Sequence, residues 1–385
     1  MFSICRFHAL IKAIPRPLFD RLVAHHQADR YSHSFRSWQQ LQAMIFVQLT
    51  GLSSLRTAEA GFNRQRRHHY HWNCGPLRRS TLAEANQRCK PALYADLAGW
   101  LMTQAHRRLR REVQELLYLL DSTSITLRGP GFDEWTQPHR TRHTQGLKWH
   151  VLYDAHERVP AQQSITHPNV NDLDQGIRLP LEAGALYVFD KAYCDYNWWY
   201  RIDQAGARFV TRFKRNAGLR LVQSHPSASD LNSMILADEW VRFAHPHSRA
   251  GHRHLYEQPL RRITVERTGL SPLVLATNDM TSPAHEIARY YKARWGVELF
   301  FKWIKQHLNL RRFLGRSANA VKLQILTALI TYLLLVLYHR EQGGGKTLWL
   351  FLAELRCSLF ERASPTVRPR PPPPPMTTEH VEENL

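Results

Sequence analysis

Two short apolar runs, each closing on an aspartate, constrain this chain more than any other feature. Leu116-Leu117-Tyr118-Leu119-Leu120 stops at Asp121, and Ala185-Leu186-Tyr187-Val188-Phe189 stops at Asp190. A short continuous apolar run marks a strand covered on both faces, so helices are required above and below the sheet. Ser124–Leu127 is expected to form a second strand after a tight Ser-Thr-Ser turn, and the alternating Lys148–Tyr153 a third. Asp172–Ala183 is then expected to cross over as a helix. A helix through Trp198, Trp199 and Ile202 follows, and Arg208–Phe213 returns as a strand. Three strands followed by strand–helix–strand units describe an α/β fold, a mixed sheet flanked by helices. Strands of this kind place their terminal aspartates at a sheet rim, where ligand sites in α/β folds gather. A lone aspartate after a strand also serves as a turn residue or helix cap.

A third carboxylate stands on a helical pattern. In YKARWGVELFFKWIK, Tyr291, Arg294, Glu298 and Lys305 fall at offsets of 3, 4 and 7. At about 100° per residue they share one stripe of a helix. Val297, Phe301, Ile304 and Leu308 form a second stripe suited to a core. The helix thus offers one acid among two cations and a phenol, an arrangement that suits a metal ion beside a phosphate.

The charge balance points the same way. The 385 residues hold 52 Lys+Arg against 32 Asp+Glu, a formal charge of +20 with pI near 10.1. Such an excess calls for a polyanionic partner, nucleic acid first, although a basic surface can also be inert. Five scattered cysteines with no CxxC pair read as reduced intracellular thiols. The start shows no apolar run of signal-peptide length. Leu323–Tyr338, interrupted by Gln324, Thr327 and Thr331, is expected to be a buried core helix, so no membrane partner is expected.

Residues 1–105 read as a helical N-terminal domain. A run from Ser37 ends at Gly51, and Ser53-Ser54 cap a second helix through Leu55, Ala58 and Ala60. This is the outline of a helix-turn-helix or of any helical hairpin. The cationic Arg64–His69 could grip phosphates or simply be solvated. Residues 115–340 carry the strand pattern, with a β-rich insertion at 216–280. A C-terminal helix is expected over 346–362, and the Pro-rich tail 363–385 is expected to be disordered.

Three carboxylates on separate elements of a basic protein suit two-metal phosphoryl transfer. Hard divalent ions such as Mg²⁺ take oxygen ligands without a His or Cys cage. Two ions about 4 Å apart activate the attacking oxygen and stabilise the leaving one.

The Y-x2-R-x3-E-x6-K arrangement of Tyr291, Arg294, Glu298 and Lys305 resembles the C-terminal signature of transposases of the insertion-sequence-4 type. LLYLLDSTSI and LYVFDKAYCDY resemble the two aspartate motifs of that DDE group, and RRSTLAEANQR with the segment from Phe7 to Arg56 resembles its accessory domain. The resemblance spans about residues 5–340. It implies an RNase H-like catalytic core with a β-rich insertion. Asp121, Asp190 and Glu298 would form the catalytic, metal-binding triad, holding two Mg²⁺ (or Mn²⁺) ions. Tyr291, Arg294 and Lys305 would contact phosphates and the transposon end, and Tyr193 matches an aromatic of the second motif. The implied activity is cleavage at terminal inverted repeats and strand transfer into target DNA. The implied partner is double-stranded DNA, gripped by a dimer in the synaptic complex, in a bacterial cytoplasm. The alternative is a catalytically inactive DNA-binding relative or inhibitor of transposition.

Other residues carry open readings. Lys148 is expected among the DNA contacts, and His150 beside it could also face DNA, although outward strand residues give the same pattern. His167, Asn169 and Asp172 could approach the site, or Asn171 or Asp172 could cap a helix. Trp295 and Trp303 could stack on a base or pack in the core.

Overall fold

The computed structural model describes residues 4–32, 34–109, 116–138, 145–225, 234–245, 253–342 and 345–363. The expected tail 363–385 lies, apart from its first residue, outside the described residues. The chain opens with α1 (Arg6–Ile11), α2 (Arg16–His25), α3 (Ser37–Thr50), α4 (Leu55–Arg64), α5 (Arg66–Trp72), α6 (Arg79–Arg88) and α7 (Pro91–Leu109). Strands β1 (Leu117–Thr126), β2 (Gln137–Pro138), β3 (Gln145–Asp154) and β4 (Val159–Thr166) follow. Then come α8 (Asp172–Gly176), β5 (Leu186–Phe189), α9 (Tyr196–Gln204) and β6 (Arg208–Arg212). The chain closes with β7 (Leu219–His225), β8 (Ile235–Phe243), β9 (Leu260–Arg267) and β10 (Leu270–Thr277), then α10 (Ala284–Ala293), α11 (Trp295–His307), α12 (Ala318–Glu341) and α13 (Leu348–Ser358).

The sheet is mixed and RNase H-like. β1 runs antiparallel to β3 and parallel to β5, and β5 runs parallel to β6. β2 and β4 share the outer side of β3. The insertion extends this same sheet: β10 pairs with β6, and β9, β8 and β7 follow outward as an antiparallel meander.

Strand alternation divides the molecule into two cores. Leu117, Leu119, Ile125 and Val151 face the layer that contains Val297, Phe301, Ile304 and α12. Tyr118, Leu120, Leu152, Tyr187 and Phe189 face Trp198, Trp199 and Ile202 of α9. The core stripe expected on the Glu298 helix is buried throughout, with Val297 and Ile304 at 0% exposure.

Two expectations need correcting, and one strand was not expected. β1 does not stop at Asp121 and no turn follows it: Asp121, Ser122, Thr123 and Ser124 keep their partners Val151, His150, Trp149 and Lys148 on β3. Those residues are polar because the strand runs beyond its buried half toward the rim, not because it ends. The unexpected strand is β4, beside β3, which has no apolar signature; it carries Pro160 and two glutamines and pairs on one side, where a missing N–H is tolerated. The crossover helix from Asp172 is a short α8 ending at Gly176, with Pro180 a few residues on.

α12 joins the N-terminal helices to the sheet. It is 24 residues long and apolar enough, by length and composition, to cross a membrane, yet 94% of its most apolar stretch is buried inside the fold. It packs on α3, α6 and α7. Gly51 ends α3 in the left-handed region (φ 71°), and Ser54 caps α4 in a capping box with Thr57. The expected hairpin is therefore present, but α3 is enclosed from Ser37 to Leu49 except at Trp38, so only α4 offers an outer face. Buried amides tie the parts together. Gln324 of α12 accepts from Leu314 N at 2.9 Å and donates to Asn309 O and Arg312 O. Gln48 of α3 accepts from Asn309 N at 2.6 Å.

Candidate active site

The register places the first two acids side by side. Leu120 of β1 lies beside Phe189 of β5 in parallel pairing, so Asp121 and Asp190 follow on adjacent strands. Both succeed a residue that faces α9, so both belong to the opposite face, the one covered by α11. Asp190 also caps the short 3₁₀ turn Lys191–Tyr193, its Oδ1 accepting from Lys191 N at 2.7 Å. That use leaves Oδ2 available.

Glu298 lies in the first turn of α11. The helix meets β1 through Gly296, where an added β-carbon would stand 3.2 Å from Leu119 Cδ1. A glycine two residues before Glu298 thus permits the approach of helix to strand. The single helix expected from Tyr291 to Lys305 is two: α10 and α11 meet at Arg294, where Arg294 N donates to Tyr291 O and Val297 N to Arg294 O. These i to i+3 bonds tighten one turn at the Arg-Trp-Gly sequence, and glycine is a poor helix former. The backbone stays right-handed, so the side chains still converge.

Arg294 bridges two of the acids. Its Nη2 stands 2.7 Å from Glu298 Oε1 and its Nη1 3.7 Å from Asp121 Oδ2. Asp121 is nonetheless pushed up to about 6, chiefly by burial, with Glu298 and Asp172 adding repulsion against the relief from Ser122 N–H and Arg294. Tyr291 lies 5.9 Å from the Arg294 guanidinium, ring centre to carbon. Burial raises its phenol first and Asp190 next, which places it near the second acid. Lys305 donates to Thr123 Oγ1 at 2.6 Å and Ser124 O at 2.9 Å, and burial lowers its ammonium. The Thr123 and Ser124 contacts were hidden in the sequence by the turn expected there.

Lys148 and Tyr193, expected at the phosphates, lie on the other face. Lys148 donates to Asp172 Oδ2 at 2.8 Å, and His150 Nδ1 stands 3.3 Å from Asp172 Oδ1. Tyr193 is 1% exposed, its phenol raised by burial and then by Asp172 and Asp121. Tyr193 is enclosed behind the acids, and Lys148, partly buried, is held there by Asp172. Asn171 caps α8, accepting from Leu173 N, and Asp172 is the ion-pair hub of this face. His167 is exposed. Trp303 packs edge-on against Tyr332, whereas Trp295 is 58% exposed.

Among the described residues, no three His, Cys, Asp or Glu side chains stand as a ready metal-holding group. The donor chemistry still fits a hard divalent ion: carboxylate oxygens from three elements, one of them partly buried and only partly neutralised.

The profile of the transposase DDE domain matches residues 113–334, more than half of the chain. The chain belongs to the DDE transposases of insertion sequences. A domain of unknown function (DUF4372) matches residues 4–72 of this transposase. It is 41% identical over 295 residues to y4zB of Sinorhizobium fredii, named as a transposase, covering 76% of this chain and 80% of that protein. It is 30% identical over 242 residues to a protein of Geobacillus stearothermophilus named as the transposase of insertion sequence element IS5377, covering 62% and 61%. The likeness to the Synechocystis protein named for element IS4SA is 28% over 178 residues, 46% and 48% of the two chains. Among solved structures, the piggyBac transposase in its synaptic complex with hairpin DNA superposes with a TM-score of 0.52 at 10% identity, over 93% of this chain and 80% of that one. At that identity the transposase shares the fold alone.

Proposed function

We propose that this transposase binds the terminal inverted repeats of its own element, cuts the DNA strands there and joins them to target DNA. The reading rests on one observation: Asp121 and Asp190 on neighbouring parallel strands, with Glu298 joined to Asp121 through Arg294. Asp121, Asp190 and Glu298 would hold two divalent ions, Mg²⁺ or Mn²⁺, which when bound supply activation of the attacking oxygen and stabilisation of the leaving one. Arg294 and Tyr291 bind the phosphate beside them, and Lys305 fixes the β1 rim through Thr123 and Ser124. Lys148 and Tyr193 act from behind the sheet, setting the backbone that carries the acids. The N-terminal helices, with their exposed arginines, grip duplex DNA. The protein would work as a dimer in the bacterial cytoplasm, since two ends must meet in one complex.

Nicking of a duplex carrying the element's ends, with and without Mg²⁺, tests this. The parent should nick only with metal, and Glu298→Gln should lose nicking while keeping DNA affinity. Nicking by Glu298→Gln at the parent's rate would refute the triad. A parent that binds the ends and never cuts them favours the non-catalytic relative.

A further inference from the structure

Asp172 opens α8 behind the sheet, and side chains from two strands converge on it. Its Oδ2 accepts from Lys148 Nζ at 2.8 Å, and His150 Nδ1 stands 3.3 Å from its Oδ1. Lys148 and His150 belong to β3, where His150 lies opposite Ser122 of β1. Residues opposite each other on antiparallel strands share a face, so Ser122 turns toward α8 as His150 does. Burial raises the Asp172 carboxyl first, but the side chains of His150, Lys148 and Ser122 outweigh it and hold it at about 2. Polar networks of this kind, in a low-dielectric interior, rigidify the backbone that carries them.

The same carboxylate faces the turn that follows the second acid. After burial, Asp172 and then Asp121 raise the Tyr193 phenol, while the Ser122 side chain opposes them, so Ser122 and Tyr193 share this neighbourhood. Gly176, at the far end of α8, seats the tyrosine ring: a β-carbon there would stand 3.2 Å from Tyr193 Cδ1 and 3.3 Å from Trp198 Cη2. A helix of five residues does not stand on its own, so these contacts are what hold α8 in place. The link ends at the acids themselves. Ser122 N donates to Asp121 Oδ1 at 2.8 Å, and Lys191 N donates to Asp190 Oδ1 at 2.7 Å. A shift of Ser122, or of the Lys191–Tyr193 turn, therefore turns a carboxylate.

We propose that Asp172 is a positioning residue for strand cleavage: from behind the sheet it fixes Ser122 and the Lys191–Tyr193 turn, and through them the carboxylates of Asp121 and Asp190. The inference rests on the triad reading above. Asp172 touches no reacting atom in this role; it sets the angle at which two acids meet their ions. Partners that orient a metal's ligands typically contribute about 10–100-fold to metal affinity or activity.

The test compares the full-length parent with Asp172→Asn, which keeps the shape and loses the charge, and with Ser122→Ala, which removes only the link to β1. Three readouts are taken: amide exchange at residues 122 and 191, thermal melting as Mn²⁺ is added, and cleavage of a duplex carrying the element's ends. Both amides should exchange faster in Asp172→Asn, and the amide at 122 in Ser122→Ala. In both variants the Mn²⁺ concentration that raises the melting temperature should move up about 10–100-fold, and cleavage should fall by a similar factor. A merely structural ion pair gives the opposite split: metal-free melting drops, while the Mn²⁺ midpoint and both amides stay as in the parent. That result overturns the proposal. Should Asp172→Asn fail to fold, Ser122→Ala decides by the same readouts. A parent whose melting ignores Mn²⁺ and which cuts no DNA sinks the triad reading instead; the two amides, which need no metal, then still decide whether Asp172 holds the carboxylates.

Discussion

Arg294 stands 2.7 Å from Glu298, four residues further along the chain, and reaches back to Asp121 with its other terminal nitrogen at 3.7 Å. One planar cation thus spans two acids carried by different elements. A lysine cannot span both, because its single ammonium is a point charge. Arg294→Lys should reduce strand cleavage by roughly 10²–10³-fold, the scale of losing one preorganised donor. DNA affinity should change far less. Single-turnover cleavage beside a binding titration checks it, and equal losses in both would show that Arg294 serves binding alone.

Thr123 marks where Lys305 is anchored. The ammonium is lowered by burial and donates to the threonine hydroxyl and to Ser124 O. Thr123→Val keeps the shape and removes one acceptor. Hydrogen bonds to charged groups contribute about 1.5–3 kcal/mol, so unfolding should become easier by an amount near the lower figure. Cleavage should also slow, since Lys305 loses its fixed position. A denaturant midpoint identical to the parent's would show that Ser124 O alone holds the ammonium.

What could be read from sequence follows from which signals are local. The buried strands around Leu119 and Val188 are apolar on both faces, and composition alone announces them. The Gly51 turn and the Ser54 cap are equally local. β4 is different: its glutamines lie on an edge strand, and only the tertiary pairing with β3 makes it a strand. The same gap explains the site. Asp121, Asp190 and Glu298 stand out because each ends or interrupts an apolar pattern. Thr123 has no such mark, because its role depends on Lys305, 182 residues away. Tyr193 is read from a motif and Lys148 from its place on a strand, and neither signal says which face of the sheet a side chain takes; the alternation from Asp121 to Ser122 sends their neighbourhood to the back.

Gln324 satisfies three backbone groups outside its own helix, which is apolar through most of its buried length: Leu314 N, Asn309 O and Arg312 O. Gln324→Leu matches the surrounding hydropathy and should still destabilise. It strands three partners, each costing about 1–3 kcal/mol if left unpaired and buried. A loss of at least about 3 kcal/mol is expected, read from urea unfolding. Because Gln48 of α3 bonds the same Asn309, loosening should spread to the N-terminal helices, seen as faster amide exchange in α3. A stability unchanged within about 0.5 kcal/mol would mean the loop from Asn309 to Leu314 finds other partners.

Asp279 gives the fold a defined acid limit. It closes the insertion after β10, where its carboxylate accepts from Ser282 and Thr281 and pairs with Arg208 Nη1 at 2.7 Å. Burial pulls its pKa upward. The Ser282 N–H and hydroxyl, the Thr281 N–H and the Arg208 charge together outweigh that, holding it at about 2 against an ordinary 3.8. A carboxyl depressed on folding stabilises the protein fully above its unfolded pKa, and the contribution disappears as pH falls through the folded value. The shift from 3.8 to about 2 corresponds to about 2 kcal/mol. Parent and Asp279→Asn should therefore differ in unfolding free energy by about that amount from neutral pH down to about pH 4, the gap then narrowing toward pH 2. Urea melts of both proteins at pH 7, 5, 4, 3 and 2 measure it. A gap of constant size across the series would mean that Asp279 acts through shape and neutral hydrogen bonds, with its charge contributing nothing.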